Sequence, residues 1–378
     1  MYVARMPRLR RSLVLSIAIL GSLVLAVSAH AASVSTVVAG LDNPRGLAFG
    51  PDGQLYVAEA GHGGGECVTG GEEGTTCFGF TSGISRIEHG SAHRIVSGIA
   101  SNAGEDGSGA TGVDGISFSG GRLYGIVTGS SDAVPPTGLT AATAAGLKAQ
   151  LGRLIKVGRH GWRVVADVGH VDYQWSNDNQ DLVPGQFPDA NPYGVLAGRN
   201  STWVVDAGSN TLDRVGRHGQ VSVEQFFPNP PASDAVPTCI DRGPDGALYI
   251  GELTGGGNAP GAARVWRYAP WQSQPLSVWA TGLTAVTGCG FGHDGRFYAT
   301  EFSTNGLDTA APGTGAVVQV PAHSTAPVTI ASGLNFPGGF AADRCAVYVS
   351  NWSIAPANAG GGPTGEVIRI GLGRHHHH

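Results

Sequence analysis

Glu59, Asp206, Glu252, Glu301 and Asn351 occupy one recurring place in the chain. Each stands three residues after an aromatic (Tyr56, Trp203, Tyr249, Tyr298, Tyr348), and only Val127, after Tyr124, breaks the series. Carboxylates gathered around one axis would raise one another's pKa values or recruit a hard divalent cation such as Ca²⁺. The same side chains could equally accept N–H groups of the glycine-rich turns that follow them. A second set precedes short strand-like segments: Arg45, Asp114, Tyr193, Thr238, Thr287 and Gly338. Arg45 and Asp114 form either a plain ion pair or a ligand cradle. In the cradle Arg45 would hold an anion or carbonyl, and Asp114 would act as acid, base or metal ligand. The stretch from His170 to Asn179 sets Tyr173 and Trp175 among amides and carboxylates. That composition suits a stacking wall for an aromatic or sugar-like ligand, or a loop packed on its neighbours.

Familiar nucleophile and nucleotide signatures are missing. The chain has no Gly-x-Ser-x-Gly, no His-Glu-x-x-His, no phosphate loop and no dinucleotide fingerprint. Its histidines outside the C-terminal run are scattered, so no triad is readable.

The elements that must carry these residues repeat. The clearest copies run from Pro44-Arg45-Gly46-Leu47 to Tyr56-Val57-Ala58-Glu59, from Pro237-Thr238-Cys239-Ile240 to Tyr249-Ile250-Gly251-Glu252, and from Gly288-Cys289-Gly290-Phe291 to Tyr298-Ala299-Thr300-Glu301. Weaker copies begin at Gly115, Gly194 and Gly339. The later onsets lie about 45–50 residues apart, the period of propeller blades. Alternating apolar residues bounded by glycines give four strands to each of the first five copies and three to the sixth. The missing outer strand is supplied by Val34-Ser35-Thr36-Val37-Val38-Ala39-Gly40-Leu41, which matches the outer strands around Val278 and Val328. The expectation is an all-β, six-bladed β-propeller of four-stranded blades, one domain over 32–371, with the ring closed by the N-terminal strand. Long insertions at 60–82, 128–151, 253–262, 302–314 and 352–364 all follow second strands, so they fall on one face. The link 169–191 joins them there. Loops of that length usually carry function, which places the expected site on this face.

The N-terminus, with Arg5, Arg8, Arg10 and Arg11 before an apolar run and Ala29-His30-Ala31, reads as a signal peptide over 1–31. Residues 372–378 end in four histidines and read as a purification tail. The mature chain offers no membrane span. The expected location is therefore secreted, periplasmic or extracellular. Charged residues make up only 13 % of the chain and the net charge is −5. No basic run in the sequence suits a phosphate backbone, so nucleic acid is not an expected partner. Five cysteines are present, all in the mature part. Cys67 and Cys77 bracket one loop and are expected to pair. Of Cys239, Cys289 and Cys345 only two can pair, and the sequence does not say which.

The chain resembles the ScyD/ScyE family, propeller-type proteins of secreted or periplasmic location. The resemblance is carried by Val37-Val38-Ala39-Gly40-Leu41-Asp42-Asn43-Pro44-Arg45-Gly46-Leu47, by the stretch from Asn191-Pro192-Tyr193-Gly194-Val195 to Val205-Asp206-Ala207-Gly208-Ser209-Asn210, and by residues 283–291. It covers nearly all of the mature chain and transfers no catalytic residue. More distantly, Pro-Asp-Gly-x-Leu-Tyr-Val is similar to NHL-repeat and gluconolactonase-like propellers, which often hold a divalent cation in the channel with Glu, Asn and Asp. Three functions follow as expectations. One is binding of a small organic ligand on the loop-rich face, in an accessory role in extracytoplasmic or secondary metabolism. The second is a metal-assisted hydrolase, lyase or cyclisation enzyme that uses a channel-mouth carboxylate. The third is a scaffold for a protein partner.

Overall fold

Short apolar strands joined by tight glycine turns pair with their sequence neighbours, and each copy of the repeat does so as one antiparallel meander. The structure, a computed structural model, describes residues 33–71, 74–159, 161–183, 186–354 and 364–372. The expected signal peptide and the histidine run lie outside these residues.

Strand β1 is Val34–Leu41. Blade 1 contains β2 (Pro44–Phe49), β3 (Leu55–Glu59), β5 (Gly74–Glu88) and β6 (Ser91–Ala103), with β4 (Glu66–Gly71) paired to the early part of β5. Blade 2 is β7 to β10 (Val113–Ser119, Arg122–Val127, Arg153–Gly158, Gly161–Asp167). Blade 3 is β11 to β14 (Pro192–Ala197, Ser201–Asp206, Thr211–Gly216, Val221–Phe226). Blade 4 is β15 to β18 (Pro237–Arg242, Leu248–Glu252, Ala263–Tyr268, Leu276–Leu283), and blade 5 is β19 to β22 (Val286–Phe291, Phe297–Glu301, Gly315–Val320, Val328–Leu334). Blade 6 takes β23 (Phe340–Ala342), β24 (Ala346–Asn351) and β25 (Gly365–Gly371), and β1 pairs antiparallel with β25 from Val34↔Ile370 to Leu41↔Gly365. The fold is thus a six-bladed β-propeller whose first strand completes its last blade. β1 buries Val38 and Leu41 in the seam with blade 1, among Leu47, Leu55 and Val57.

Apolar packing between adjacent blades holds the ring. Tyr56 meets Phe118 edge-on at 4.9 Å, Tyr249 meets Phe291 at 4.9 Å and Tyr348 meets Phe49 at 5.1 Å. Each of these tyrosines, and Tyr298 with them, also donates its hydroxyl to an aspartate in the turn before its own strand. Tyr56 reaches Asp52 at 3.0 Å, Tyr249 reaches Asp245 at 3.2 Å, Tyr298 reaches Asp294 at 2.7 Å and Tyr348 reaches Asp343 at 2.8 Å. A repeated aromatic with one polar tip therefore packs the blades and ties the turn in one stroke.

Near the axis the blades meet backbone to backbone. A Cβ on Gly194 would lie 2.7 Å from the Thr238 carbonyl oxygen of blade 4, and one on Gly339 would lie 2.4 Å from the Arg45 carbonyl oxygen of blade 1. Gly46, Gly115 and Gly288 approach the next blade in the same way. Only glycine tolerates that approach.

The segments read as loops contain more regular structure than the sequence suggested. Residues 60–82 include the β4–β5 hairpin, held by a Cys67–Cys77 disulfide between directly opposed residues. The second insertion contains α1 (Ala141–Gln150), an alanine-rich run capped by Thr140 and anchored to Glu66 of the hairpin, whose carboxylate accepts the Thr140 N–H at 2.7 Å. The link between blades 2 and 3 begins with α2 (Val168–Asp178), whose first turn is capped by Asp167 accepting the His170 N–H at 3.1 Å. Sequence reasoning missed these helices because their periodicity is weak: α1 buries only Leu147, and α2 turns a polar Asp172/Ser176 stripe inward.

Candidate functional site

Strand register explains why the two polar sets share one end of the propeller. The start of each inner strand lies opposite the end of the second strand: Pro44↔Glu59, Val113↔Val127, Pro192↔Asp206, Pro237↔Glu252 and Val286↔Glu301. Inner-strand starts from all six blades line a narrow axial cavity of ≈ 90 Å³, bordered by Asp114, Tyr193, Thr238 and Thr287.

Asp114 and Tyr193 of the lining come together with Arg45, which lies just behind it. Arg45 Nε lies 3.6 Å from Asp114 Oδ1 across the junction of blades 1 and 2. The guanidinium also donates to the Ala110 carbonyl, and Asp114 Oδ2 accepts from Thr128 Oγ1 at 2.7 Å. Arg45 Nε and Asp114 Oδ1 are buried and have no hydrogen-bond partner. Burial raises the Asp114 pKa above the usual carboxylate range, with Arg45 opposing. Burial also raises the Tyr193 phenol, the Arg45 charge pulling against it and Asp114 adding to it. For Arg45, burial pulls the pKa down, but Tyr193 and Asp114 outweigh it and leave the guanidinium more firmly charged. The group is a buried ion pair with a half-buried phenol on the cavity beside it, and the pair's Nε and Oδ1 are left without a hydrogen bond. Thr238 and Thr287 are occupied differently. They donate to the Val286 carbonyl at 2.6 Å and the Pro337 carbonyl at 2.8 Å, closing the seams of blades 4, 5 and 6.

Each member of the acidic series is engaged close to its own strand. Glu59 accepts the Asp42 N–H at 2.8 Å, Asp206 the Asn191 N–H at 2.8 Å, Glu301 the Thr284 N–H at 2.8 Å and Asn351 the Asn335 N–H at 2.8 Å. In four blades, then, the second strand's last side chain fastens the chain entering the inner strand. Glu59 further binds Ser85 Oγ and Arg94, and Glu252 binds the Arg264 N–H, the Arg264 Nε and the Trp266 indole N–H. Burial raises the pKa of Glu252 and of Glu301. Among the described residues, no group of three or more His, Cys, Asp or Glu side chains is arranged to hold a metal ion.

Tyr173 and Trp175 lie on α2. Trp175 packs on Phe226 of blade 3, ring centres 5.7 Å apart. The inward side of the same helix carries a feature that sequence reasoning missed. Asp172 is fully buried, no N–H or hydroxyl group donates to it, and its carboxyl meets those of Asp213 and Asp206. Asp206 Oδ1 takes three backbone N–H groups, from Asn191, Gly208 and Ser209, while its Oδ2 has none. Burial first, then the neighbouring carboxylates, hold Asp172 and Asp213 well above the ordinary aspartate range. The available signal was Asp213 itself, an acid at an inward position of β13 between Leu212 and Val215.

Cys239 and Cys289 form a second disulfide, joining blades 4 and 5 beside the axial cavity, and Cys345 is free and exposed. No helix among the described residues is long and apolar enough to cross a membrane.

No protein-family model matches the sequence, and no curated protein is significantly similar to it. Solved structures are similar in fold. A Thermus thermophilus protein, provisionally assigned as an oxidoreductase (glucose dehydrogenase), superposes with a TM-score of 0.52 at 16 % identity, over 90 % of this chain and 99 % of its own. A Bacteroides thetaiotaomicron protein of unknown function gives 0.53 at 9 % identity, over 90 % and 76 %. A gluconolactonase of Xanthomonas campestris gives 0.50 at 9 % identity, over 90 % and 89 %. The chain has a propeller fold. At these identities the likeness extends to the fold alone.

Proposed function

We propose that this protein is an extracytoplasmic binding propeller that takes one small polar organic molecule at the loop-bearing end of its channel. The observation that carries the reading is the buried Arg45–Asp114 ion pair, whose Nε and Oδ1 face each other at 3.6 Å without a hydrogen bond, with Tyr193 next to both. A buried donor and a buried acceptor that face each other beyond hydrogen-bond distance would be satisfied by a carbonyl or carboxylate flanked by a hydroxyl. The cavity of ≈ 90 Å³ admits such an end group, while the rest of the molecule lies among the loops. Two disulfides fit an oxidising compartment. The ScyD/ScyE-like motifs around Arg45, Tyr193 and residues 283–291 support an accessory role in secondary metabolism.

A second reading, an enzyme, is favoured by one observation. Asp114 has a raised pKa and stands beside a phenol, the pairing a proton-transfer step of a lyase or cyclisation reaction requires. Calorimetric titration with small hydroxy acids, keto acids and lactones tests the site. Binding is expected for wild type, weakened in Tyr193→Phe and retained in Trp175→Phe. A ligand that binds Tyr193→Phe unchanged places the site elsewhere. Turnover of the bound ligand that is lost in Asp114→Asn selects the enzyme.

A further inference from the structure

Helix α2 packs against β9 of blade 2 and against β13 and β14 of blade 3. Beyond Val168 in its first turn, the side chains it buries are polar: Asp172 and Ser176, 0 % and 4 % exposed. The Asp172 carboxyl meets Asp213 of β13 and Asp206 of β12, both also wholly buried. No N–H or hydroxyl donates to Asp172, and one oxygen each of Asp206 and Asp213 is open as well. Thr211 Oγ1 reaches the other Asp213 oxygen at 3.3 Å, and Glu224 of β14 adds its charge toward Asp213. Around the helix start the charges are already matched, Arg153 with Asp167 and His170 Nδ1 with Asp132 at 2.8 Å.

Among the described residues, no Arg, Lys or His stands within ion-pair distance of the three aspartates, and they are not arranged to hold a metal ion. Carboxylates in contact and out of water repel one another. A proton removes the charge and supplies a donor to an open oxygen in one step. The docking of α2 therefore depends on protons.

The same residues govern the entry to β11. Ser176 Oγ accepts the Asp189 N–H at 2.9 Å, and Asp206 Oδ1 accepts the Asn191 N–H at 2.8 Å. Two residues further on, Tyr193 borders the axial cavity. Between them the Pro192 carbonyl accepts from Thr128 Oγ1 at 3.1 Å, the hydroxyl that also serves Asp114. What receives the helix thus also places the segment that carries Tyr193.

We infer that α2 is an acid-locked strap, docked while the Asp172–Asp213 pair is protonated and loosened, together with the segment leading to Tyr193, as that pair ionises. Burial first, then the neighbouring carboxylates, holds both protons past the pH at which solvated carboxyls lose them. Undocking solvates the pair, so rising pH favours it, by up to about tenfold per pH unit for each proton released. Weaker ligand binding at the axial cavity follows at the same pH, a consequence that rests on the binding function proposed above.

Hydrogen exchange of the full chain without ligand, from about pH 5 to 8, tests the strap. Helix α1 is the internal standard, since both helices share the intrinsic pH dependence of exchange. Peptides covering α2 and residues 186–197 should lose protection relative to α1 by about tenfold or more over that range. Asp172→Asn should remove most of the change, whereas His170→Gln, which breaks the exposed contact with Asp132, should leave it in place. The wild-type ratio decides by itself if Asp172→Asn does not fold. The inference is overturned if α2 and α1 keep a constant ratio, or if residues 186–197 stay protected while α2 opens. It is equally overturned if His170→Gln rather than Asp172→Asn abolishes the change, or if Ca²⁺ restores protection at the alkaline end. No ligand is present, so each outcome stands apart from whether hydroxy acids bind at the axial cavity.

Discussion

Arg45 of blade 1 and Asp114 of blade 2 form an ion pair, 3.6 Å from Nε to Oδ1, at the point where both strands begin their run along the axis. Both are almost completely buried, 8 % and 2 % exposed. Removing one partner of such a pair leaves a naked charge, while removing both does not. Arg45→Met should therefore cost about 3–5 kcal/mol, and Arg45→Met/Asp114→Leu should recover much of it. Denaturant unfolding of the two single variants and the double variant checks this; additive losses would show that the pair is not coupled.

Helix α2 should answer to pH. Asp172 carries a pKa raised by burial and by Asp213 and Asp206, and Asp213 is raised in turn by burial, Asp206 and Glu224. A carboxyl raised in the folded state holds its proton there after the unfolded chain has lost it. Stability is then greatest below the unfolded pKa, about 3.9, and is lost as pH rises toward the folded value. Asp172→Asn should flatten that slope and raise the melting temperature at pH 8 relative to wild type. Parallel melting curves from pH 5 to 8 check it, and an unchanged slope refutes the raised pKa of Asp172.

The Cys239–Cys289 link closes a long loop between blades 4 and 5. Cys239→Ala/Cys289→Ala should lower stability by about 2–4 kcal/mol. Alkylation of the unreduced native protein should label Cys345 alone. Labelling of Cys239 or Cys289 would contradict the pairing.

Ring closure rests on Leu41, wholly buried between β1 and blade 1. Leu41→Ala should cost about 2–5 kcal/mol, because the cavity it leaves cannot collapse between two sheets. Val34→Ser, on the same strand but 50 % exposed, should change little. Equal melting temperatures for the two variants would show that β1 is not holding the ring.

What the sequence revealed was whatever repeats. Tyr56, Tyr249, Tyr298 and Tyr348 recur because four blades share the same turn tie, and that periodicity disclosed the blades and the strand borrowed from the N-terminus. Arg45, Asp114 and Tyr193 were legible as a set because they occupy equivalent places before inner strands. The pairing of Cys239 with Cys289 was not, since it depends on how adjacent blades abut. The Asp172–Asp206–Asp213 group escaped because α2 brings its member from a different element.

The glycines facing the axis fix what can vary. Where Gly194 and Gly339 let one blade's backbone touch the next, a larger residue would force the wall apart. Beyond the end group held at Asp114 and Tyr193, variation in this molecule is left to its rim. New ligands could be accommodated by replacing the segments that cover the mouth, while the ring beneath them is left as it is.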